Sequence, residues 1–592
     1  MVKTLAKSIR EYKTPSILSP IFVSLEVIVE CIMPLFIMRF IEEISNGKDS
    51  NSLPMEIILY YGGILVGMAL LSLTFGMLSG RFAARASAGF AKNLRKDMYY
   101  AIQDYSFSNI DKFSTSSLVT RLTTDVTNVQ MAYMMIIRVA IRCPLMLAFS
   151  LAMAFTVNVT ISWVFVALIP ILAGVLTAVI LKCFPIFERV FKKYDNMNRS
   201  IREDIKGIRV VKSFVREDFE KQKFEKTSAD VAKDFTLGER LMAINTPVMQ
   251  FCIWFSFLMI FLLAALLTVG GKPVGEGDLT VLIMYASQIL SSIMQLSMVL
   301  VMIIIARTSV KRIVDVLQEK SNIVSPKQAV KEVESGDIVF ENVNFKYAAQ
   351  AEKFALSGVD LKIKAGQTVG ILGGTGASKS TLVNLIPRLY DTTEGAVYVG
   401  GVNVKDYDIE ALRNKVAMVL QKNVLFSGTI KDNLRWGKED ATDDEMRRVC
   451  RLACAADFIQ AFPDKYDTYI EQGGTNVSGG QKQRLCIARA LLKDPKVLIL
   501  DDSTSAVDTK TDAMIRKSFR EEIPNVTKII IAQRVSSVQD ADQIIVMDGG
   551  RIAAIGTHEE LLASNQIYQE VYYQQNKIGN PSAAAEGGES HE

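Results

Sequence analysis

The sequence predicts an α-helical membrane domain with six transmembrane helices, fused to a P-loop α/β domain. Three observations lead to this prediction. Six long apolar runs fill the first half of the chain, strand-like and helix-like segments alternate in the second half, and a phosphate-binding loop follows one of those strands. We therefore divide the 592 residues into a membrane domain (1–316), a linker (317–336), a nucleotide-binding domain (337–579) and a disordered tail (580–592).

The six apolar runs contribute to the hydrophobic content of 49% and the mean hydropathy of +0.22, which are high for a soluble protein. Each run is long enough to cross the roughly 30 Å of hydrocarbon in a bilayer, which takes about 20 residues of helix. In lipid such a run has to be helical, because its backbone groups find no water. The runs are Ile17–Phe40, Ile57–Leu78, Met131–Phe155, Ile161–Leu181, Pro247–Val269 and Leu279–Ala306.

The charge of the connecting segments predicts the orientation in the membrane. Arg81–Gln130 carries seven Lys and Arg residues and Lys182–Arg240 carries fifteen, whereas the other connections carry two in all. By the positive-inside rule, the two basic segments and both chain termini are cytoplasmic. Helices two to five should continue into these segments and meet in two short turns, near Asn109–Ser117 and near Gly207–Phe214.

A phosphate-binding loop stands where a strand meets a helix. Thr368–Leu372 is an apolar, strand-like segment, and Leu382–Leu389 has a helical pattern. Backbone N–H groups in such a loop bind phosphate, a lysine adds charge for the β- and γ-phosphates, and a hydroxyl ligates Mg²⁺. We expect ATP and Mg²⁺ to be bound by Gly373, Thr375, Gly376, Ala377, Ser378, Lys379, Ser380 and Thr381, with Lys379 as the lysine and Ser380 as the Mg²⁺ ligand.

Two further segments complete the nucleotide-binding pattern. Val497–Asp501 is an apolar strand that ends in a carboxylate, and Asp501 is therefore the expected second Mg²⁺ ligand. Asn476–Arg484 reads NVSGGQKQR. Its residues Ser478, Gly480 and Gln481 stand at a helix start, where N–H groups attract phosphate.

This last segment resembles the signature of the ABC transporter superfamily. Six membrane helices followed by one ATPase domain resemble the half-transporter layout of its type I/IV exporters, so the resemblance covers nearly the whole chain. It implies that two chains close around two ATP molecules. It also implies that the signature of each chain contacts the γ-phosphate of the ATP that the other chain holds.

The resemblance assigns roles to further residues one by one. Tyr347 matches the aromatic residue that stacks on adenine, and Gln421 matches the glutamine that reaches Mg²⁺ and senses the membrane domain. Ser505–Asp508 matches the D-loop. Thr468–Gly474 resembles the X-loop of exporters, with Gln472 where a glutamate is usual. The two cytoplasmic turns would be coupling helices.

Three residues depart from the family pattern. Asp502 replaces the catalytic glutamate and is shorter by one methylene. Its carboxylate, the expected general base, therefore lies farther from the attacking water. Gln533 replaces the switch histidine and cannot carry a positive charge. Ser378 replaces the glycine before Lys379, a position where glycine adopts strained dihedrals freely. We expect a degenerate site, one that binds ATP and hydrolyses it poorly.

Two carboxylates lie inside the first apolar run, Glu26 and Glu30, one helical turn apart. Placing a carboxylate inside a membrane costs free energy, so such a residue indicates a function by default. They should lie at a depth similar to that of Arg142, with Arg138 nearer the cytosol. Two alternatives follow: an ion pair between the first and third helices, or a cavity that attracts cationic substrates.

The combined pattern favours one half of a heterodimeric exporter of hydrophobic or amphipathic compounds in a bacterial plasma membrane. Its expected partners are a second half-exporter with a consensus site, membrane lipids and the small substrate. A lipid or lipid-precursor flippase and a regulatory or channel-like protein of the same family are alternatives. The net charge of +4 does not suggest a nucleic-acid partner.

Overall fold

The structure, a computed structural model, describes residues 2–47, 55–348, 350–502 and 507–576. The predicted tail 580–592 and part of the predicted D-loop, Ser505 and Ala506, lie outside these residues. The chain divides into two compact units. The first contains Met1–Gln103 and Phe113–Glu319, and the second contains Asp104–Lys112 and Lys320–Glu592.

The first unit is entirely helical within the residues described, and its α-helices follow the apolar runs. A 3₁₀ helix (Lys7–Tyr12) and a π-helix (Arg121–Asp125) interrupt the α-helical series. The α-helices are α1 (Val2–Ala6), α2 (Lys13–Gly47), α3 (Met55–Gln103), α5 (Thr115–Thr120), α6 (Val126–Val157), α7 (Val159–Lys206), α8 (Ile208–Ser213), α9 (Glu217–Ala243), α10 (Asn245–Val269) and α11 (Glu276–Gln318); α4 (Phe107–Lys112) belongs to the second unit.

Six of these helical segments within the described residues are long and apolar enough to cross a membrane. They contain all six predicted runs, so the predicted number of spans is confirmed. Helices two to five continue beyond their apolar runs as expected, and so does the sixth, which ends at Gln318 rather than near Ala306. Short helices, α4 and α8, stand at the two predicted turns.

The second unit is an α/β domain with two main sheets, and the predicted fold class is confirmed. Its remaining helices are α12 (Lys379–Asn384), α13 (Ile409–Lys415), α14 (Ile430–Arg435), α15 (Asp443–Leu452), α16 (Ala456–Ala461), α17 (Gly479–Leu491), α18 (Thr509–Glu522), α19 (His558–Ser564) and α20 (Gln566–Asn576), with 3₁₀ turns at Lys465–Asp467 and Val535–Ser537. Its strands are β1 (Ile338–Phe345), β2 (Leu356–Ile363), β3 (Thr368–Gly373), β4 (Glu394–Val399), β5 (Val402–Asn403), β6 (Val416–Val419), β7 (Gly428–Thr429), β8 (Tyr469–Ile470), β9 (Val497–Asp501), β10 (Thr527–Ile531), β11 (Gln543–Asp548) and β12 (Arg551–Gly556).

The larger sheet has the strand order β12-β11-β3-β10-β9-β6, and all neighbouring pairs except β11 with β12 are parallel. Strands β9 and β10 are buried at every residue, as expected for central strands covered on both faces. The smaller sheet is antiparallel, with the order β2-β1-β4-β5. Because β3, β10, β9 and β6 run parallel, their carboxyl ends meet at one edge, where ligands of such sheets usually bind.

Helix α4 packs within the second unit. The hydroxyl of Tyr390 donates a hydrogen bond of 2.6 Å to Asp111, and the Phe107 ring packs edge-on against Tyr390. The hydroxyl of Ser106 donates to the Asn322 side chain at 2.6 Å. The segment before the third span is therefore fixed to the α/β domain by both apolar and polar contacts.

Candidate nucleotide-binding site

The phosphate-binding loop connects β3 to α12, the predicted strand–loop–helix arrangement. Gly373 has a φ of +159°, and a Cβ there would lie 2.3 Å from the carbonyl oxygen of Met547, so no larger residue fits. Gly376 has a φ of +86° with open space beside it. The exposed loop around Gly374, Thr375 and Gly376 thus leaves room above its backbone for a phosphate chain.

Ser378 adopts the left-handed conformation, with a φ of +67° and a ψ of 25°. Non-glycine residues enter this region at a cost of about 1–2 kcal/mol, which glycine avoids. The serine therefore keeps the backbone shape that a glycine-type loop requires, at the expense of local strain. Buried Ala377 precedes it and anchors the loop to the core below.

Lys379 and Ser380 form the first turn of α12, with Thr381 behind them. The ammonium group of Lys379 donates to the carbonyl oxygens of Gly373 at 2.9 Å and Gly374 at 2.8 Å, and so lies across the loop. Burial lowers the pKa of Lys379, while Asp501 and Asp502 act in the opposite direction. The lysine is thus a partly desolvated charge beside the expected phosphate position.

Two of the three predicted Mg²⁺ ligands, Ser380 and Asp501, lie together. The hydroxyl of Ser380 donates to Oδ1 of Asp501 at 2.9 Å. Asp501 ends β9 and is only 4% exposed, and this burial raises its pKa. A hydroxyl and a carboxylate are hard oxygen ligands of the kind that Mg²⁺ takes, and so the pair fits a Mg·ATP complex.

The two residues that depart from the family pattern at the catalytic position contact each other. Asp502 follows β9 and Gln533 follows β10, its parallel neighbour. The amide Nε2 of Gln533 donates to Oδ2 of Asp502 at 2.8 Å. Asp502 has a φ of +47° and its N–H donates to the Ile531 carbonyl oxygen at 3.1 Å, which fixes its backbone to β10.

Tyr347 lies next to the phosphate-binding helix. Its side chain is 50% exposed, and its ring packs edge-on against Phe345 and Tyr390. Its hydroxyl is 2.9 Å from the Thr381 hydroxyl, a contact that the sequence pattern did not reveal. A half-exposed aromatic ring that is held by two aromatic neighbours suits an adenine platform.

Gln421 lies just after β6, the neighbour of β9 in the sheet. It is exposed and follows the same sheet edge that carries Asp501. Gln421 thus follows the strand next to β9, and within the described residues it makes no hydrogen bond to Ser380 or Asp501, the other two predicted Mg²⁺ ligands.

The signature residues begin a separate helix, α17. Ser478 caps this helix: its N–H donates to the Gln481 side chain at 2.9 Å, and the N–H of Gln481 donates to the Ser478 hydroxyl at 3.3 Å. Gly480 occupies the second helical position. None of the three is hydrogen-bonded to the phosphate-binding loop in the described part of the chain. The predicted nucleotide-binding residues thus fall into two separate groups, one around β3 and β9 and one at the start of α17.

The membrane carboxylates Glu26 and Glu30 share one cation. Arg142 donates through one nitrogen to Glu26 and through the other to Glu30, the latter at 2.7 Å. Glu26 is 6% exposed. Arg138 makes no ion pair within the residues that the structure describes. The structure therefore favours the ion pair between the first and third spans over the cation-attracting cavity, with Arg142 rather than Arg138 as the partner.

This pairing predicts the effect of removing the arginine. Arg142→Gln should destabilise the protein by about 3–5 kcal/mol, because two carboxylates then remain without a counter-charge. The neutral triple variant Glu26→Gln/Glu30→Gln/Arg142→Gln should recover most of that loss. Thermal unfolding of the full chain in detergent measures both, with Arg138→Gln as the control. Equal unfolding temperatures for Arg142→Gln and the control would contradict the pairing.

Comparison with known proteins gives two family matches. Residues 16–294 match the model described as ABC transporter transmembrane region, and residues 356–505 match the model described as ABC transporter. Together the two matched ranges contain most of the apolar runs, the phosphate-binding loop, the signature and Asp502.

Several relatives align over most of the chain. A Bacillus subtilis protein, uncharacterized ABC transporter ATP-binding protein YfiB, is 34% identical over 93% of this chain and 94% of its own length. The Mycobacterium tuberculosis protein Rv1273c, with the same description, is 34% identical over 87% of this chain and 88% of its own. An ATP-dependent lipid A-core flippase of Desulfotalea psychrophila is 31% identical over 83% of this chain and 85% of its own.

Proposed function

Because the chain belongs to the ABC transporter family, we propose that it is one half of a heterodimeric, ATP-driven exporter of hydrophobic or amphipathic compounds. Its own nucleotide site binds ATP with Mg²⁺ and hydrolyses it slowly, and its signature completes the partner's catalytic site. The observation that carries this proposal is the contact between Asp502 and Gln533, which occupies the catalytic position beside a well-formed phosphate-binding loop.

The binding half of the proposal rests on Lys379, Ser380 and Asp501. The ammonium group of Lys379 already lies over the loop, where it can exchange its two carbonyl partners for phosphate oxygens. Ser380 and Asp501 lie within hydrogen-bond distance and would hold Mg²⁺. When bound, Mg²⁺ would neutralise charge on the β- and γ-phosphates.

Slow hydrolysis follows from the short catalytic carboxylate. A general base must lie within hydrogen-bond reach of the water that it activates, and a displacement of about 1 Å can cost about 10²-fold in rate. Asp502 is bonded to the Gln533 amide, which uses one of its oxygens. Gln533 remains neutral at any physiological pH, so it adds no positive charge to the site.

The role for the partner rests on the signature. Ser478 and Gln481 cap each other, so two N–H groups at the start of α17 are already hydrogen-bonded without a ligand. The helix dipole and the first-turn N–H groups then favour a phosphate. An unaltered signature beside an altered catalytic pair supports a heterodimer, in which the competent site uses the partner's loop and this chain's α17.

The relative named as a lipid A-core flippase favours a second candidate function, movement of a lipid across the bilayer. Assays on the complex that copurifies with the tagged full-length chain distinguish the export of small compounds from the movement of lipid. For an exporter of small compounds, hydrophobic cations should stimulate ATP hydrolysis and be taken up into inside-out vesicles. Stimulation by lipid alone, without uptake, would favour the flippase. ATP binding with neither response would contradict both.

The conformation of Ser378 predicts that ATP binding tolerates this residue. Ser378→Gly should change the ATP affinity by less than about fivefold, because serine already holds the loop in the glycine-type shape. Ser378→Val should weaken binding by at least about tenfold, since β-branched residues are strained in the left-handed region. Titration of the full chain with ATP measures both. A large gain in affinity for Ser378→Gly would show that serine distorts the loop.

A further inference from the structure

The C-terminal helix α20 contacts the loop that carries Gln533. The side-chain oxygen of Gln575 accepts a hydrogen bond of 2.8 Å from the N–H of Val535. Its side-chain nitrogen donates a hydrogen bond of 2.7 Å to the carbonyl oxygen of Gln533. One amide thus holds the backbone on both sides of Arg534.

Helix α20 is held against the rest of the α/β domain by several contacts. Tyr568 is fully buried, and its hydroxyl lies 2.7 Å from Nδ1 of His558. Ile567 and Val571 pack against the core of the α/β domain. The Gln569 side chain donates to the carbonyl oxygen of Leu562 at 2.8 Å, which fixes α20 to the preceding helix. Gln575 is therefore presented by an anchored element.

Both ends of the Gln575 amide are needed. A carboxylate accepts hydrogen bonds and cannot donate to the carbonyl oxygen of Gln533, so glutamate would keep one contact and replace the other with repulsion. The backbone held in this way carries the Gln533 side chain, which donates a hydrogen bond to Asp502. The contacts form one path from Gln575 through Gln533 to Asp502.

We propose that Gln575 is a positioning residue of the nucleotide site. It fixes the backbone at residues 533–535, so that the Gln533 side chain stays over the position of the γ-phosphate and against Asp502. The inference rests on the proposed function in one respect, that this chain binds ATP. It extends the site to α20, which lies after the residues matched by the family model.

The test compares Gln575→Glu with Gln574→Glu in the full-length chain. The control places the same charge at the neighbouring, exposed position of the same helix. Radiolabelled ATP with Mg²⁺ is bound, and its release is followed after addition of unlabelled ATP. Release should be about tenfold faster for Gln575→Glu and unchanged for Gln574→Glu, because only the former disturbs Gln533. Both variants should unfold at the same temperature.

A second background distinguishes positioning from a general structural role. In Gln533→Ala the side chain that this backbone positions is missing, so adding Gln575→Glu should cause no further acceleration of release. Equal release rates for Gln575→Glu and Gln574→Glu would overturn the inference, and so would an undiminished effect in the Gln533→Ala background. If the unsubstituted chain retains no ATP, the proposed function itself fails, and the inference with it.

Discussion

Replacing Asp502 by Glu and Gln533 by His together should raise ATP hydrolysis at this chain's own site by about 10²-fold or more. Glutamate extends the carboxylate by one methylene toward the attacking water. Histidine restores a group that can be charged where Gln533 now donates only a neutral amide to Asp502 at 2.8 Å. The measurement is phosphate release by the complex copurified with the full-length chain, in which the partner's own catalytic carboxylate has been neutralised.

The two single substitutions are the informative controls. Because Asp502 and Gln533 contact each other, their effects should not add, and either change alone should give much less than the pair. Asp464→Glu makes the same chemical change at an exposed position of the same domain and should have no effect. Unchanged phosphate release by the double variant, with ATP still bound, would show that hydrolysis is limited elsewhere.

Gly480→Asp should reduce ATP hydrolysis by the copurified complex by about 10²–10³-fold. Gly480 is the second residue of α17, so the new carboxylate would stand among the N–H groups that we propose bind the partner's γ-phosphate. ATP binding by this chain's own loop should be unaffected, because that loop is formed by β3 and α12. Phosphate release and ATP retention by this chain are measured in the same preparation.

Gly480→Asn separates charge from bulk, since asparagine has the size of aspartate without its charge. It should retain clearly more activity than Gly480→Asp. If both substitutions left hydrolysis intact, the signature of this chain would not serve the partner's site, and the proposed division of labour would be wrong.

The fold was predictable wherever the chain has a long and unambiguous pattern. Six apolar runs can only be helices in lipid, and the Val, Ile and Leu residues of β9 and β10 are typical of buried parallel strands. Helix ends were less predictable. The helix after the phosphate-binding loop covers Lys379–Asn384 rather than Leu382–Leu389, and Arg388 takes a φ of +51°, which ends any continuation.

The site residues could be found from motif order, but their contacts could not. Nothing in the sequence joins Gln533 to Gln575, because the hydrogen bonds run to backbone atoms and any residue offers those. The ion pair of buried Asp125 with partly exposed Arg312, between the third and sixth helical segments, is equally invisible in the sequence, since neither residue stands in an apolar run. Long-range pairing depends on helix register, which a single sequence does not specify.

The most direct test of the degenerate site is ATP turnover by the full-length chain purified without a partner, with bound ATP measured in the same sample. We expect one ATP to be retained per chain in the presence of Mg²⁺, with a turnover of about 10⁻² s⁻¹ or less, which is about 10²-fold below the slow end, about 1 s⁻¹, of ordinary enzymes. Retention of ATP together with sustained turnover of about 1 s⁻¹ or faster by the chain alone would contradict the central claim that this site binds ATP and hydrolyses it slowly.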